Sequence, residues 1–139
     1  MTGNFNARAA QDRAKPFQGI DAFEPGEKGA QWTLRLRADE PVFEGHYPGN
    51  PILPGIYTLE SVQQGIERLY AGRGRRVTMT RVKSMRFLAP FAPGDLMRVE
   101  AQVEERPGGE VLASASILRN GDKAAQAKIY FRIEDDQAC

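Results

Sequence analysis

The stretch EGHYPGNPILPGIYTLE, residues 44–60, carries the only histidine of the chain, His46, and ends on a glutamate, Glu60. Histidine has an ordinary pKa near neutrality, so it can take a proton in one step and return it in another. Glu60 falls beside the apolar positions of a segment with helical spacing, and burial there would raise its pKa and keep it protonated. Gly55 stands in the first turn of the same segment, where a backbone N–H has no intrahelical partner and carries the positive end of the helix dipole. Such an N–H can stabilise a carbonyl oxygen that gains negative charge. Base, acid and oxyanion donor are the groups that elimination of water from a 3-hydroxyacyl thioester requires. Each residue also has an ordinary reading. A histidine among glycines and prolines can be a turn residue, a helical glutamate can be solvated, and Gln63 and Gln64 can be the polar flank of the helix.

These groups need elements that hold them. Gly45, Pro48, Gly49 and Pro51 surround His46, in a loop stiff at its prolines and permissive at its glycines. Leu59, Val62, Ile66 and Leu69 recur at helical spacing, widened by Ile56 and Tyr70, and predict one amphipathic helix. Pro54 suits its first turn, and Gly72 and Gly74 suit its end. Trp32, Leu34 and Leu36 alternate with polar residues over 31–37, as do Met97, Val99, Ala101 and Val103, which is the period of half-buried strands. The Pro107-Gly108-Gly109 turn leads into a run from Val111 to Leu118, and Asn120-Gly121 into Ala125, Ala127, Ile129, Phe131 and Ile133; these are hairpin signals. Residues 77–88 are β-branched and apolar enough for a further strand of less regular alternation. One helix against five or six strands predicts an α+β fold in which a curved antiparallel sheet wraps around the helix.

A chain of 139 residues has room for one ordinary domain. With 41% hydrophobic and 27% charged residues it reads as globular, and no apolar run has the length of a membrane span. The opening MTGNFNARAAQDRAKP lacks the apolar stretch of a secretory signal. The expected organisation is therefore a flexible segment over 1–15 and a single domain over 16–139, cytoplasmic and with no membrane partner. A net charge of +1 offers no global field for nucleic acid, and the sole cysteine, Cys139, leaves neither an internal disulfide nor a cysteine metal cluster. No metal or cofactor is expected.

The stretch FEGHYPGNPILPGIYTLESVQQ resembles the signature of the 3-hydroxyacyl-[acyl-carrier-protein] dehydratases of the FabZ type, and VKSMRFLAPFAPGDLMRVEAQV, residues 82–103, is similar to that family's strand ending in Arg-Phe and its Pro-Gly-Asp turn. PFQGIDAFEPGEKG, residues 16–29, resembles a worn form of its opening strand. The resemblance implies the hotdog fold, a homodimer or trimer of dimers with a heterodimer as a variant, and active sites between subunits. It implies His46 as the base, oriented by the backbone carbonyl of Tyr47. It further implies Glu60 from the other subunit as the acid, the Gly55 N–H as the oxyanion donor and Gln64 as a residue that positions the acid. The product would be a trans-2-enoyl thioester on an acyl carrier protein, whose phosphopantetheine carries the substrate. Gln63 and Tyr57 depart from the family's usual small and aliphatic residues and are read as reshaping the substrate tunnel, which points to a polyketide or polyene pathway as well as to fatty-acid synthesis.

An acyl carrier protein is acidic, so the basic run after the helix, Arg73, Arg75, Arg76, Arg81, Lys83 and Arg86, is the local candidate for docking it. Two other classes share the fold: an acyl thioesterase, which would use a carboxylate to activate water, and a non-catalytic subunit of a heteromeric dehydratase.

Overall fold

The computed structural model describes residues 20–37, 39 and 53–134. Six strands and one helix follow in the order β1 (Ala22–Pro25), β2 (Gly29–Arg35), α1 (Gly55–Ala71), β3 (Arg76–Phe87), β4 (Leu96–Arg106), β5 (Glu110–Arg119) and β6 (Asp122–Glu134). They form one sheet of order β1-β2-β4-β5-β6-β3 with every neighbouring pair antiparallel. Among the described residues the expected antiparallel sheet with a single helix is thus the observed architecture.

Alternation sorts the strands as expected. Trp32 and Leu34 of β2, Met97 and Val99 of β4, Val111 and Ile117 of β5, and Ile129 and Phe131 of β6 are buried in one core with Val62, Ile66 and Leu69 of α1. Asn120 and Gly121 link β5 to β6 with φ values of 50° and 95°, the paired left-handed conformations that a two-residue turn between twisted strands favours. Strand β3 is less regular because its register with β6 shifts twice, between Met79 and Arg81 and between Val82 and Ser84. An extra residue breaks the period of two, so Val77 is buried and Met79 and Met85 half-buried while their neighbours are exposed.

The helix crosses the strands. Trp32, Val99, Ile117, Ala125 and Phe87 stand side by side in one row through β2, β4, β5, β6 and β3. The two ends of that row meet α1 at different heights. A Cβ placed on Gly65 would fall 2.0 Å from the Trp32 indole, and one on Gly55 would fall 2.7 Å from the Phe87 ring. Gly55 and Gly65 are separated by about 15 Å of helix, comparable with the ~19 Å that four strand spacings span. The helix therefore begins at the β3 edge and runs towards the β1–β2 edge.

Its far end is tied down there. The Tyr70 hydroxyl donates to Glu105 Oε2 at 3.0 Å, and Arg73 donates to the carbonyl oxygens of Gly26 and Glu27 at 3.0 and 2.7 Å while its guanidinium lies 3.7 Å from Glu105. Burial and the Glu105 carboxylate push the Tyr70 phenol from its ordinary 10.0 up to about 12. Strand β1, which only the family resemblance suggested, pairs with β2 and stacks Phe23 on Trp32 at 5.7 Å.

Candidate active site

Gly55 is the first residue of α1, after Pro54 in extended conformation. The helix starts without a side-chain cap, so its first amides retain their donor capacity. Leu53 anchors the approach, buried and donating its N–H to the Phe91 carbonyl at 2.8 Å. Phe87, the last residue of β3, lies over Gly55, where an added Cβ would fall 2.7 Å from its ring and make that exposed ring shift. Ile56, Phe87 and Leu88 are 62%, 53% and 53% exposed. Large apolar side chains thus remain open to solvent where β3 ends beside the start of the helix, as they would around an apolar ligand or a second chain. Phe87 was not among the residues expected at the site, although it ends the Arg-Phe strand that carries the resemblance.

Glu60 lies one turn further along α1. Ile56, Glu60, Gln63 and Glu67 follow one another at spacings of four and three residues and so share a helix face; Thr58, Ser61, Val62, Gly65, Ile66 and Leu69 form the buried face against the sheet. The carboxyl of Glu60 is thus on the side of the helix turned away from its own sheet. Its pKa is raised, first by burial and then by the charge of Glu67. Both causes favour the proton-bearing form that a general acid needs. Glu67 is itself pushed up by burial and drawn back by a hydrogen bond from Gln63 Nε2 to its Oε2 at 3.1 Å. Sequence reasoning passed over Glu67, although its spacing from Glu60 and Gln63 would have revealed it. Gln64 is half-buried beside Glu60, and Tyr57 is half-buried and packs against the core. His46 and Tyr47 lie outside the described residues.

The structure divides the basic run. Arg73 is an internal clamp, bonded to Gly26, Glu27 and Glu105 as described above and stacked 5.1 Å from the Tyr70 ring. Arg81 lies 4.1 Å over the Tyr130 ring on the outer face of the sheet, where Arg106 also donates to the Tyr130 hydroxyl at 3.3 Å. Arg75, Arg76, Lys83 and Arg86 are exposed, the last three on the edge strand β3. A trough of about 990 Å3 on the outer sheet face and a cleft of about 730 Å3 between β1 and the end of α1 are lined by neither Gly55 nor Glu60. Among the described residues no helix is long and apolar enough to cross a membrane.

Residues 23–128 match the family model described as ApeI-like, ApeI dehydratase. A 3-hydroxyacyl-[acyl-carrier-protein] dehydratase FabZ of Acetivibrio thermocellus is 34% identical over 128 residues, covering 86% of each chain. The FabZ of Clostridium acetobutylicum is 30% identical over 118 residues, covering 82% of this chain and 83% of its own. Among solved structures, the dehydratase heterocomplex ApeI:P of Xenorhabdus doucetiae superposes with a TM-score of 0.70 at 24% identity, covering 85% of this chain and 98% of that one. With the glycine-led helix, its raised glutamate and the wrapped six-stranded sheet, these matches place the chain in the ApeI-like and FabZ-type family of hotdog-fold dehydratases.

Proposed function

We propose that the protein removes water from a 3-hydroxyacyl thioester held on an acyl carrier protein, giving the trans-2-enoyl thioester. The observation that carries this reading is Glu60, kept towards its protonated form by burial and by Glu67, one turn from the uncapped helix start at Gly55, in a chain of a dehydratase family. His46 takes the proton from the carbon next to the thioester carbonyl. The charge that moves to the carbonyl oxygen is met by the Gly55 N–H and the helix dipole behind it. Glu60 gives its proton to the 3-hydroxyl, which leaves as water while the carbon–carbon double bond forms. Proton return from His46 to Glu60 restores both groups. The reaction needs no cofactor, and the phosphopantetheine arm arrives with the substrate.

Glu60 faces away from its own sheet, which supports a site completed by a second chain, identical or different. Strand β3 pairs with β6 on one side and is the terminal strand of the sheet on the other, with Val82, Phe87 and neighbouring Leu88 exposed along it; an edge of this kind is a template for pairing with another chain. The deciding measurement is mass spectrometry of 3-hydroxyacyl carrier protein after incubation. Loss of one water is expected, with His46→Ala and Glu60→Gln each lowering the rate by roughly 10² to 10⁴ at unchanged folding. Release of free acid would identify a thioesterase instead, and no change with any chain length would sink the catalytic reading. Comparing saturated with polyene-type acyl chains tests the specialised pathway suggested by Tyr57 and Gln63.

A further inference from the structure

We propose that the outer face of the sheet is an interface between two copies of this chain, related by a two-fold axis that runs along the strands between β4 and β5.

Glu24, Gln31, Glu100, Ser116, Gln126 and Arg86 stand side by side in one row across β1, β2, β4, β5, β6 and β3. All six lie outside the core, exposed or half-buried. The row begins with a carboxylate and ends with a guanidinium, five strand spacings or about 24 Å away, so the two cannot meet within one chain. Among the described residues neither has an ion-pair partner; Glu24 accepts a hydrogen bond from Gln31 Nε2 at 2.7 Å.

The two-fold axis reverses the row on the facing copy. Glu24 then stands opposite Arg86 of the second copy, Gln31 opposite Gln126, and Glu100 opposite Ser116, each pairing occurring twice because such an interface is isologous. Opposite charges meet at both ends, and groups that donate and accept hydrogen bonds meet between them. An axis across the strands would instead stack the basic strand β3 on itself, where like charges repel.

The neighbouring row agrees with the same axis. Gly29, Gln102, Ser114, Lys128 and Ser84 follow one another across β2, β4, β5, β6 and β3. Reversal sets Gln102 opposite Ser114 and the long Lys128 side chain opposite Gly29, which has none. Ser84, Ser114 and Ser116 line a trough of about 990 Å3 on this face, and side chains this short let a second sheet approach to the ~10 Å at which stacked sheets pack. Glu100, near the axis, enters the contact already paired, since Arg98 Nε donates to its Oε2 at 3.0 Å. Arg86 stands at the rim, where a guanidinium with five N–H donors keeps some of them for a carrier protein beside β3.

The test is sedimentation of the full-length protein as wild type, Glu24→Arg, Arg86→Glu and the double variant, with circular dichroism to check that each is folded. Either single reversal sets like charges against each other at both ends of the row and should lower the mass to about half that of wild type. The double variant restores opposite charges and should return to the wild-type mass. Single variants that keep the wild-type mass, or a double variant that stays light, would overturn the proposal. A second measurement places the axis: Ser116→Cys in a Cys139→Ser background, treated with a bismaleimide of ~10 Å reach. Across the proposed contact the two thiols are one strand spacing aside and one sheet spacing apart, about 11 Å, whereas a β3–β3 pairing separates them by about 24 Å. A cross-linked dimer is expected, and its absence would overturn the axis whatever the charge variants do.

Discussion

Single side chains do separate jobs at the two ends of α1. At its start, Gly55 lets the Phe87 ring lie against the helix backbone, since an added Cβ would push that exposed ring aside. At its end, Tyr70 is fully buried and gives its proton to a hydrogen bond with Glu105. In the unfolded chain a tyrosine ionises near its ordinary 10.0, whereas in the fold Tyr70 keeps its proton up to about 12. The stability this contributes is complete below pH 10.0 and is lost as pH rises towards 12. Tyr70→Phe should consequently unfold at lower denaturant concentration at neutral pH, by about 1 kcal/mol, and its stability should fall less steeply than that of wild type over this alkaline window. Denaturant titrations monitored by circular dichroism at several pH values would read both effects. An equally steep decline in the variant would show that other groups control the alkaline limb.

The helix and sheet act on each other through one row of side chains. Trp32 is buried against Gly65, so the middle of the helix sits close to β2. Alanine has the better helix propensity by about 1 kcal/mol, yet here its Cβ would fall 2.0 Å from the ring. Gly65→Ala should lose roughly 1 to 3 kcal/mol net of that gain, read as a lower midpoint in chemical denaturation. A stabilised Gly65→Ala protein would mean that the indole has room to move. The same displacement should disturb Glu60, which is on the next turn but one of the same helix, so activity is expected to fall along with stability. On β3 the two register shifts place Val77 and Met85 towards the core in spite of an irregular pattern, and they bring Phe87 to the helix start.

In the molecule as a whole, charge and apolar surface are distributed unevenly. Net charge is only +1, but β3 carries Arg76, Lys83 and Arg86 exposed and ends in the exposed Phe87 and adjacent Leu88 beside Gly55. On the proposed reading the partner is an acidic carrier protein whose arm would reach Gly55, and the basic residues along β3 beside that apolar opening would then receive it. Reversing charge at Lys83 and Arg86 should raise KM for carrier-bound substrate about fivefold or more while sparing a small thioester mimic, and added salt should weaken wild type towards the variant. Equal effects on both substrates would place docking elsewhere. Arg73, in contrast, should affect folding before docking, because its donors are used by Gly26 and Glu27.

The sequence by itself determined the helix and five of the six strands among the described residues. Periods of two and of three to four residues are local consequences of burying one face, and Leu59, Val62, Ile66 and Leu69 or Ala125, Ala127, Ile129 and Phe131 show them plainly. Strand β1 was legible through resemblance alone, since four residues with mostly exposed side chains carry little periodicity. Tertiary structure decided what depends on distance in space. It set the strand order that brings Phe87 over Gly55, the removal of Arg73 into a clamp at the far end of the helix, and the orientation of Glu60 away from its own sheet. The state of two carboxyls belongs to the same class: helical spacing could have paired Glu67 with Gln63, but only packing could decide that burial would raise both Glu60 and Glu67. Pattern along a chain reports which face is buried; contact between elements, which fixes pKa and access, depends on how those faces are brought together.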